Sequence, residues 1–404
     1  MVALTSPKYG DFYASTVRAA GDVLTAEQKA EMRTTSQILM QFGDPFPGSF
    51  PNEEVPEALA LALEKEPDRV LQYGAGTSAS DLRSFILQRA RQNGMEVQRE
   101  QLLVTNGSSE GIDLLCRLFL DPGDLIMTEA PTFMGALSIF RNFGVEVEGC
   151  DMDEGGLKTD LLEEQLARRS QGGGKMPKFL YIIPNFQNPT GTTMTTARRI
   201  HLLELADRYN LLIVCDDAYQ ELRLEGEDVP TLWDMDESGR IIHLGTFSKT
   251  LAPGLRLGWV FAPTEITAQL GKLKPGYGNA VAESLAGEYC CNMVDFDQRL
   301  AGLRDFYRGR RDVVLTALEQ YMPEGVRWNR PEGGLFIWLK LPDGHALEHF
   351  IEEASRRGVA VLSGAMFFPD ERDTRDIRLS YSLESRERLE IGVKIMADVI
   401  REMR

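Results

Sequence analysis

Seven short apolar runs alternate with helical patterns between residues 102 and 262, and this alternation restricts the possible folds more than any other feature. Several runs are apolar throughout, as in strands that are covered on both faces. The alternation predicts an α/β fold, with a seven-stranded, mainly parallel sheet and helices on both sides. The predicted strands are LLVTN (102–106), DLIMTE (124–129), VEVEGC (145–150), FLYIIP (179–184), LLIVCD (211–216), IIHLGT (241–246) and LGWVFA (257–262).

The pattern changes beyond about residue 300, where long helices surround GGLFIWLKLP, VAVLSG and IRLSYS. We therefore expect a large domain over residues 51–300 and a smaller α+β domain over residues 301–404. Residues 1–50 include the Pro- and Gly-rich FGDPFPGSFP and are predicted to pack with the smaller domain. SQGGGKMP (170–177) is predicted to be a surface loop.

Composition excludes several classes of protein. The net charge of −17 argues against nucleic acid as a partner, because neutralising phosphates needs clustered Lys and Arg. No apolar run approaches the length of a membrane span, and the start resembles no secretory signal, so a cytoplasmic protein with no membrane partner is expected. Cys116 and Cys215 lie in apolar runs and are interpreted as small core residues in a reducing compartment.

Polar residues directly follow five of the predicted strands. Ligands of open α/β sheets bind outside the carboxyl ends of the strands, so these residues are predicted to share one rim. They bring hydroxyls, an amide, a carboxylate, a lysine and an arginine together. The segments are NGSSEG (106–111), EAPTF (129–133), NFQNPTG (185–191), DAYQ (217–220) and FSKTLAPGLR (247–256).

Four motifs resemble those of fold-type I pyridoxal-phosphate enzymes of the class I/II aminotransferase group. They are NPTG (188–191), DDAY (216–219), GTFSKTLAPGLRLGW (245–259) and IRLSYS (377–382), and the resemblance runs from about residue 35 to the C-terminus. Within the group, the chain is most similar to the branch of 2-aminoadipate, kynurenine and aromatic aminotransferases. The resemblance implies pyridoxal 5'-phosphate as cofactor, amino acid and 2-oxo acid substrates, and a homodimer with shared active sites.

The resemblance implies that Lys249 holds the cofactor as a Schiff base. A lysine must lose its proton to act as nucleophile or base, and burial together with nearby Arg256 is expected to favour the neutral amine. Asp216 is implied to face the pyridine nitrogen and to keep the ring protonated. The alternative for this pair of aspartates is capping of a helix, for which Asp217 is the better candidate.

The remaining cofactor contacts are also implied by the resemblance. Tyr219 and Asn188 would hydrogen-bond the 3-hydroxyl group, and Phe133 would stack on the ring, with ordinary core packing as its alternative. A helix N-terminus favours a phosphate, although capping alone also explains serines there. The implied phosphate ligands are Ser108, Ser109, Thr246, Ser248, Arg256 and, from the neighbouring subunit, Tyr73.

Arg378 is implied to bind the substrate carboxylate, since a planar guanidinium matches a planar carboxylate. Asn188 would share that carboxylate. Arg18 and Tyr277 are candidates for the pocket of the substrate side chain. Relatives commonly have a glycine-rich stretch where this chain has Asp44-Pro45-Phe46-Pro47, so the resemblance does not specify the side chain that is preferred.

The expected reaction is a ping-pong transfer of an amino group from an L-amino acid to 2-oxoglutarate or pyruvate. Decarboxylation, elimination or oxidation on the same cofactor is an alternative, because the cofactor carries the chemistry. An aminotransferase-like transcription regulator is a more remote alternative, since fewer than about fifty residues precede the catalytic region. His345-Ala-Leu-Glu-His349 matches a short metallopeptidase pattern, but no third ligand is evident and no metal is expected.

Overall fold

The computed structural model describes residues 36–72, 80–274, 278–370 and 372–403. Predicted site residues Tyr73, Arg18 and Tyr277 lie outside these ranges. The strands are β1 (Ile38–Leu39), β2 (Leu102–Thr105), β3 (Leu125–Ala130), β4 (Glu146–Asp153), β5 (Gly156–Leu157), β6 (Phe179–Ile182), β7 (Leu212–Asp216), β8 (Ile241–Thr246), β9 (Gly258–Phe261), β10 (Arg327–Trp328), β11 (Phe336–Lys340), β12 (Val359–Ala360), β13 (Leu362–Ser363) and β14 (Asp376–Ser380).

The α-helices flank the strands along the described part of the chain. They are α1 (Glu54–Lys65), α2 (Pro67–Leu71), α3 (Ser80–Gln92), α4 (Ser108–Phe119), α5 (Met134–Asn142), α6 (Thr159–Gly172), α7 (Thr196–Tyr209), α8 (Leu232–Met235), α9 (Thr264–Leu273), α10 (Ala280–Glu288), α11 (Phe296–Tyr321), α12 (Leu347–Arg356) and α13 (Arg386–Glu402).

The main sheet has the strand order β2-β9-β8-β7-β6-β3-β4-β5. Strands β8, β7, β6, β3 and β4 pair in parallel, whereas β9 runs antiparallel to both of its neighbours. The α/β fold and all seven predicted strands are confirmed. The structure adds an eighth strand, β5, which pairs antiparallel with β4 and at two residues is too short to give a periodic pattern.

Helices cover both faces of this sheet because successive strand residues point to opposite sides. On β3, Ile126 packs with α4, α5 and α9, while Met127 packs with α6 and α7. The same alternation separates Tyr181 from Leu180 on β6. The continuous apolar runs of the sequence therefore belong to strands that are buried on two sides, which leaves the strand ends as the places for polar residues.

A second, antiparallel sheet has the order β10-β11-β14-β13 and packs with α11, α12 and α13. Its central strand β14 carries Arg378 opposite Trp338 and Leu362. Strand β1 pairs in parallel with β12, so Ile38 lies beside Val359. This pairing holds the segment that follows residue 36 against the C-terminal part of the chain.

One local expectation from the sequence was wrong. Helix α6 continues through Gly172 and ends at left-handed Gly173, so the predicted loop over 170–177 begins later than expected. A turn rather than a helix follows β7, and Asp217 caps no helix. His345 precedes α12 and its Nε2 lies 3.2 Å from the Ile400 carbonyl oxygen. Among the described helices, none has both the length and the apolar character that crossing a bilayer requires.

Candidate active site

A cavity of about 970 Å³ opens at the carboxyl ends of β2, β3, β6, β7 and β8. Every predicted site residue within the described ranges lines it, and β14 contributes the arginine from the second sheet. These residues are Ser108, Ser109, Phe133, Asn188, Asp216, Tyr219, Thr246, Ser248, Lys249, Arg256 and Arg378. The structure thus brings together residues that are up to about 270 positions apart, because the parallel strands end at one edge and β14 of the second sheet brings Arg378 to the same cavity.

Lys249 follows β8 and lies inside the cavity. Its Nζ donates a hydrogen bond to the Gly43 carbonyl oxygen at 2.9 Å and lies 5.7 Å from the centre of the Tyr219 ring. Loss of solvent lowers the pKa of this amine to about 8, and the positive charges of Arg378 and Arg256 act in the same direction. At neutral pH, the amine is therefore far easier to deprotonate than a lysine in water.

Asp216 ends β7 and is buried. One carboxylate oxygen, Oδ2, accepts a hydrogen bond from the Tyr181 hydroxyl at 2.7 Å. The other oxygen, Oδ1, is buried and has no hydrogen-bond partner within the described part of the chain. Burial raises the pKa of this carboxyl to about 6, against the opposing effects of Tyr181 and Lys249. A buried acceptor without a partner is costly, so Oδ1 fits a ligand that brings a charged N–H donor.

Arg378, Asn188 and Tyr219 form a connected chain across the cavity. Arg378 Nη1 donates to Asn188 Oδ1 at 2.9 Å, and the Asn188 side chain lies close enough to the Tyr219 hydroxyl to act on its pKa, which it lowers against the larger effect of burial. The guanidinium lies 4.3 Å from the ring centre of Phe336 and 4.7 Å from that of Phe367. Its Nε is buried and has no partner among the described residues, which leaves a donor available to a planar anion.

The opposite end of the cavity is formed by α4 and the loop after β8. Gly107 precedes α4 with φ of 83°, and a Cβ there would lie 2.6 Å from Arg256 Nη2. A Cβ on Gly258 would lie 2.7 Å from the Ser108 backbone nitrogen. Because Gly107 has no side chain to cap the helix, the first N–H groups of α4 are available to an anion beside an arginine.

Hydroxyl groups complete this end of the cavity. Thr246 Oγ1 lies 2.8 Å from Ser248 Oγ and donates to the Leu257 carbonyl oxygen at 3.0 Å. Phe133 is the residue before α5 and lines the cavity beside Gly135, where a Cβ would lie 2.4 Å from the phenyl ring. Phe133 also packs against the core beside α4, which is the alternative environment expected for it.

Several residues around the site were missed at the level of sequence. Tyr181 lies within the apolar run of β6, so the sequence gives it no distinct role. Only the pairing of β6 with β7 places it beside Asp216. Buried Asp217 accepts two hydrogen bonds from Asn185, at 2.8 and 3.0 Å, and Asn185 in turn accepts one from Arg199 at 2.7 Å. This network ties the loop after β6, which carries Asn188, to the residue that directly follows Asp216 at the end of β7.

The donor and acceptor set fits pyridoxal 5'-phosphate. An amine of lowered pKa suits its aldehyde, the unpartnered Asp216 Oδ1 suits a protonated pyridine nitrogen, and the helix terminus beside Arg256 suits its phosphate. On a mainly parallel α/β sheet of this order, the site defines a pyridoxal-phosphate enzyme of fold type I.

The comparisons with known proteins identify the family. The sequence model of the family "Aminotransferase class I and II" matches residues 42–395, so the chain belongs to that family. Aromatic-amino-acid aminotransferase 1 of Thermococcus litoralis is 38% identical over 375 residues, which cover 92% of this chain and 89% of that protein. The chain is therefore a pyridoxal-phosphate-dependent aminotransferase that acts on amino acids.

Two solved structures support the same conclusion. Pyrococcus horikoshii kynurenine aminotransferase, solved with PMP, KYN and KYA, has a TM-score of 0.90 and 34% identity, covering 98% of each chain. The α-aminoadipate aminotransferase of Thermus thermophilus, complexed with N-(5'-phosphopyridoxyl)-L-leucine, has a TM-score of 0.88 and 31% identity, covering 98% of this chain and 99% of that one. The predicted branch of aromatic, kynurenine and 2-aminoadipate aminotransferases is thereby confirmed.

Proposed function

We propose that this enzyme moves the α-amino group of an L-amino acid to a 2-oxo acid, 2-oxoglutarate or pyruvate, in two half-reactions with ping-pong kinetics. Lys249 is the residue that binds the cofactor covalently, as a Schiff base, and moves the proton. The observation that carries the proposal is the position of its amine, at lowered pKa, in the same cavity as the Asp216 oxygen that has no hydrogen-bond partner among the described residues.

When bound, the cofactor supplies an aldehyde that forms an imine with an amine, and a protonated ring that withdraws electrons from the substrate Cα. Lys249 would hold the cofactor through its amine, and the same amine, when free, would accept the proton from the substrate Cα and donate it at C4′. The Lys249 pKa of about 8 suits both accepting and donating this proton, because an acid or base catalyst works best when its pKa lies near the working pH.

Asp216 keeps the pyridine nitrogen protonated through its Oδ1, while Tyr181 holds Oδ2 and so fixes the plane of the carboxylate. Tyr219 and Asn188 would hydrogen-bond the 3-hydroxyl group, which suits the proximity of these two side chains in the cavity. Phe133 stacks on the ring face. These contacts orient the ring relative to Lys249.

The two ends of the cavity bind the two anions of the reaction. Arg256, with Ser108, Ser109, Thr246 and Ser248, holds the cofactor phosphate at the start of α4. Arg378 binds the substrate carboxylate with Asn188, and stacking between Phe336 and Phe367 fixes its guanidinium. An acidic protein thus concentrates positive charge at two defined points.

We propose further that the protein is a cytoplasmic homodimer with shared active sites, in which Tyr73 of one subunit reaches the phosphate bound by the other. Arg18 and Tyr277 belong to the side-chain pocket of the same site. The chain divides into an N-terminal segment over residues 1–50, a large domain over 51–300 and a small domain over 301–404. Retention of activity in a mixed dimer of Tyr73→Phe and Lys249→Ala subunits would test the shared site.

The function is tested with the Lys249→Ala variant and with Lys178→Ala as its control. Lys178 lies at the opposite end of the sheet, 3.4 Å from Asp124. Wild type and the control should show the visible absorbance of bound cofactor, and they should form 2-oxo acid beyond about one equivalent per site only when a 2-oxo acid acceptor is added. Lys249→Ala should lose both properties. Repeated turnover without an acceptor would instead support decarboxylation, elimination or oxidation.

A further inference from the structure

Gln187 is completely buried and does not line the cavity, but it directly precedes Asn188, which does. Burying a polar side chain costs free energy unless its polar atoms are hydrogen-bonded. Both polar atoms of the Gln187 side chain have partners within the described part of the chain, and these partners belong to two different loops. The Gln187 side chain therefore joins the two loops.

The amide nitrogen of Gln187 binds the segment that leads from β3 to α5. Its Nε2 donates to Glu129 Oε2 at 3.0 Å and to the Pro131 carbonyl oxygen at 2.8 Å. Pro131 lies two residues before Phe133, which lines the cavity. This nitrogen thus connects the segment that carries Phe133 to the loop that carries Asn188.

The amide oxygen of Gln187 binds the loop after β6, to which Gln187 itself belongs. Its Oε1 accepts hydrogen bonds from the Thr190 backbone nitrogen at 2.9 Å and from Thr190 Oγ1 at 2.8 Å. The Gln187 backbone nitrogen also donates to the Thr192 carbonyl oxygen at 2.9 Å. Asn188 lies inside this closed turn, so its position follows that of Gln187.

Glu129, a buried residue of β3, anchors the loop at two points. Its Oε2 accepts from the Ile183 backbone nitrogen at 3.0 Å as well as from Gln187, while Oε1 has no partner among the described residues. Burial raises the pKa of this carboxyl to about 8, against the opposing effects of the two hydrogen bonds. The carboxyl is therefore mainly neutral at pH 7, and its contribution is one accepting oxygen rather than a charge.

The contacts of Asn188 in the cavity depend on how the turn is held. Asn188 Oδ1 accepts a hydrogen bond from Arg378 Nη1 at 2.9 Å. Burial raises the pKa of the Tyr219 hydroxyl, and the nearby Asn188 side chain acts in the opposite direction. Hydrogen bonds weaken steeply when the donor and acceptor are misaligned, so a small displacement of the turn would weaken the contacts of Asn188 with both neighbours.

We propose that Gln187, anchored by Glu129, is a positioning residue that holds Asn188 where it binds both the 3-hydroxyl group of the cofactor and the substrate carboxylate. The inference rests on the function proposed above and adds to it two residues that do not line the cavity. The physical basis is preorganisation, since a polar group that is already fixed in place loses little freedom when its ligand binds.

The test uses Gln187→Met, which keeps the length of the side chain and removes its amide. The readout is the pH midpoint at which the visible absorbance of the cofactor-bound enzyme changes. A hydrogen bond from Asn188 to the 3-oxygen favours its anionic form and so lowers this midpoint. Displacement of Asn188 should raise the midpoint by about half a unit or more. KM for amino acids should rise several-fold as well, because Asn188 also shares the substrate carboxylate.

Gln165→Met is the matched control. Gln165 lies on α6, and its Nε2 likewise donates to a glutamate and to a backbone carbonyl, the Glu148 Oε1 and the Gly149 oxygen, each at 3.1 Å. None of these three residues lines the cavity. The control should keep the wild-type midpoint and KM. Equal shifts in Gln187→Met and Gln165→Met would indicate a general loss of packing and would overturn the inference.

Two variants of Glu129 test the anchor and keep the inference testable if Gln187→Met does not fold. Glu129→Gln retains an accepting oxygen for Ile183 and Gln187 and should keep the wild-type midpoint. Glu129→Met removes that oxygen and should raise the midpoint, and it also removes a buried oxygen without a partner among the described residues, which favours folding. A wild-type midpoint in Glu129→Met, or an equal shift in both Glu129 variants, would overturn the inference.

The outcomes separate this inference from the proposed function. A wild-type protein that shows no visible absorbance with added cofactor and transfers no amino group refutes the proposed function itself. A wild-type enzyme that binds the cofactor and is active, but whose midpoint and KM are unchanged in Gln187→Met, refutes the positioning role of Gln187 alone.

Discussion

Replacing Tyr181 with phenylalanine tests how the protein controls the charge of Asp216. The Tyr181 hydroxyl donates to Asp216 Oδ2 at 2.7 Å, and the other oxygen has no partner among the described residues. The variant therefore leaves a buried carboxyl with neither oxygen hydrogen-bonded to the described protein. Burial already raises its pKa to about 6, and loss of the hydrogen bond removes an effect that lowers it.

The magnitude follows from the value of a hydrogen bond to a charged group, about 1.5–3 kcal/mol. Since one pKa unit corresponds to about 1.4 kcal/mol, the pKa of Asp216 should rise by about one to two units. In the cofactor-free protein, the carboxyl would then be largely protonated at neutral pH. A neutral carboxyl is a poorer partner for a protonated pyridine nitrogen, so cofactor affinity should fall most on the acidic side.

The assay measures the dissociation constant of pyridoxal 5'-phosphate between pH 5 and pH 9. Wild-type affinity should decline below about pH 6, and that decline should start one to two units higher in Tyr181→Phe. Tyr381→Phe is the control, because it removes a buried hydroxyl that donates to the Gly334 carbonyl oxygen at 2.7 Å and does not line the cavity. Identical pH profiles for wild type and Tyr181→Phe would refute the reasoning.

Three further variants or conditions test the rest of the site. Gly258→Ala should weaken cofactor binding about tenfold or more, because its Cβ would lie 2.6 Å from the Gly107 carbonyl carbon, and the shift in melting temperature on adding cofactor measures this. Arg378→Lys should raise KM for amino acids more than it lowers kcat, since an ammonium cannot bind a carboxylate in two places, and steady-state kinetics would show it. In the cofactor-free protein, the rate at which an aldehyde is reductively trapped on Lys249 should rise with pH and level off above about 8. A rate profile whose midpoint lies near the pKa of free lysine would contradict the lowered pKa of Lys249.

Much of the fold was predictable because strands that are buried on both faces have continuous apolar sequences. β6 and β7 read as continuous apolar runs, and the polar residues that follow them end at the edge where parallel strands meet. The position of Lys249 in the cavity follows from that rule and the length of β8. By contrast, β5 has only two residues, and the three successive glycines at 172–174 give no indication of which one ends α6.

The site residues that could not be predicted from the sequence are positioned by contacts between secondary-structure elements, and no pattern within a single element indicates them. Tyr181 faces the same side as Val214 on the neighbouring strand, and only that register explains why its hydroxyl reaches Asp216. Gly43 contributes a carbonyl oxygen, which any residue type possesses and which therefore leaves no signal in the sequence. Asp44 stood out only as a departure from the glycine-rich stretch of relatives. Its electrostatic effect on Lys249 required the fold.

The shifted pKa values of Lys249 and Asp216 share one cause, which is that burial penalises the charged form of each. For Lys249, the folded protein binds fewer protons than the unfolded chain between pH about 8 and 10.5, so stability should rise with pH across that window. Holding this amine in the fold at pH 7 costs about 3 kcal/mol, and less than about 1 kcal/mol at pH 10.

Lys249→Met, which keeps the length and removes the charge, should therefore stabilise the cofactor-free protein by about 2–3 kcal/mol at pH 7, with the gain nearly gone at pH 10. Urea unfolding at both pH values measures the difference, and Lys178→Met is the control, because that lysine is half-exposed at the far end of the sheet. A gain that is equal at both pH values would mean that packing rather than charge is responsible. A loss of stability at pH 7 would mean that the hydrogen bond to Gly43 contributes more than desolvation of the amine costs. Burial of the amine that catalysis needs would then not destabilise the fold.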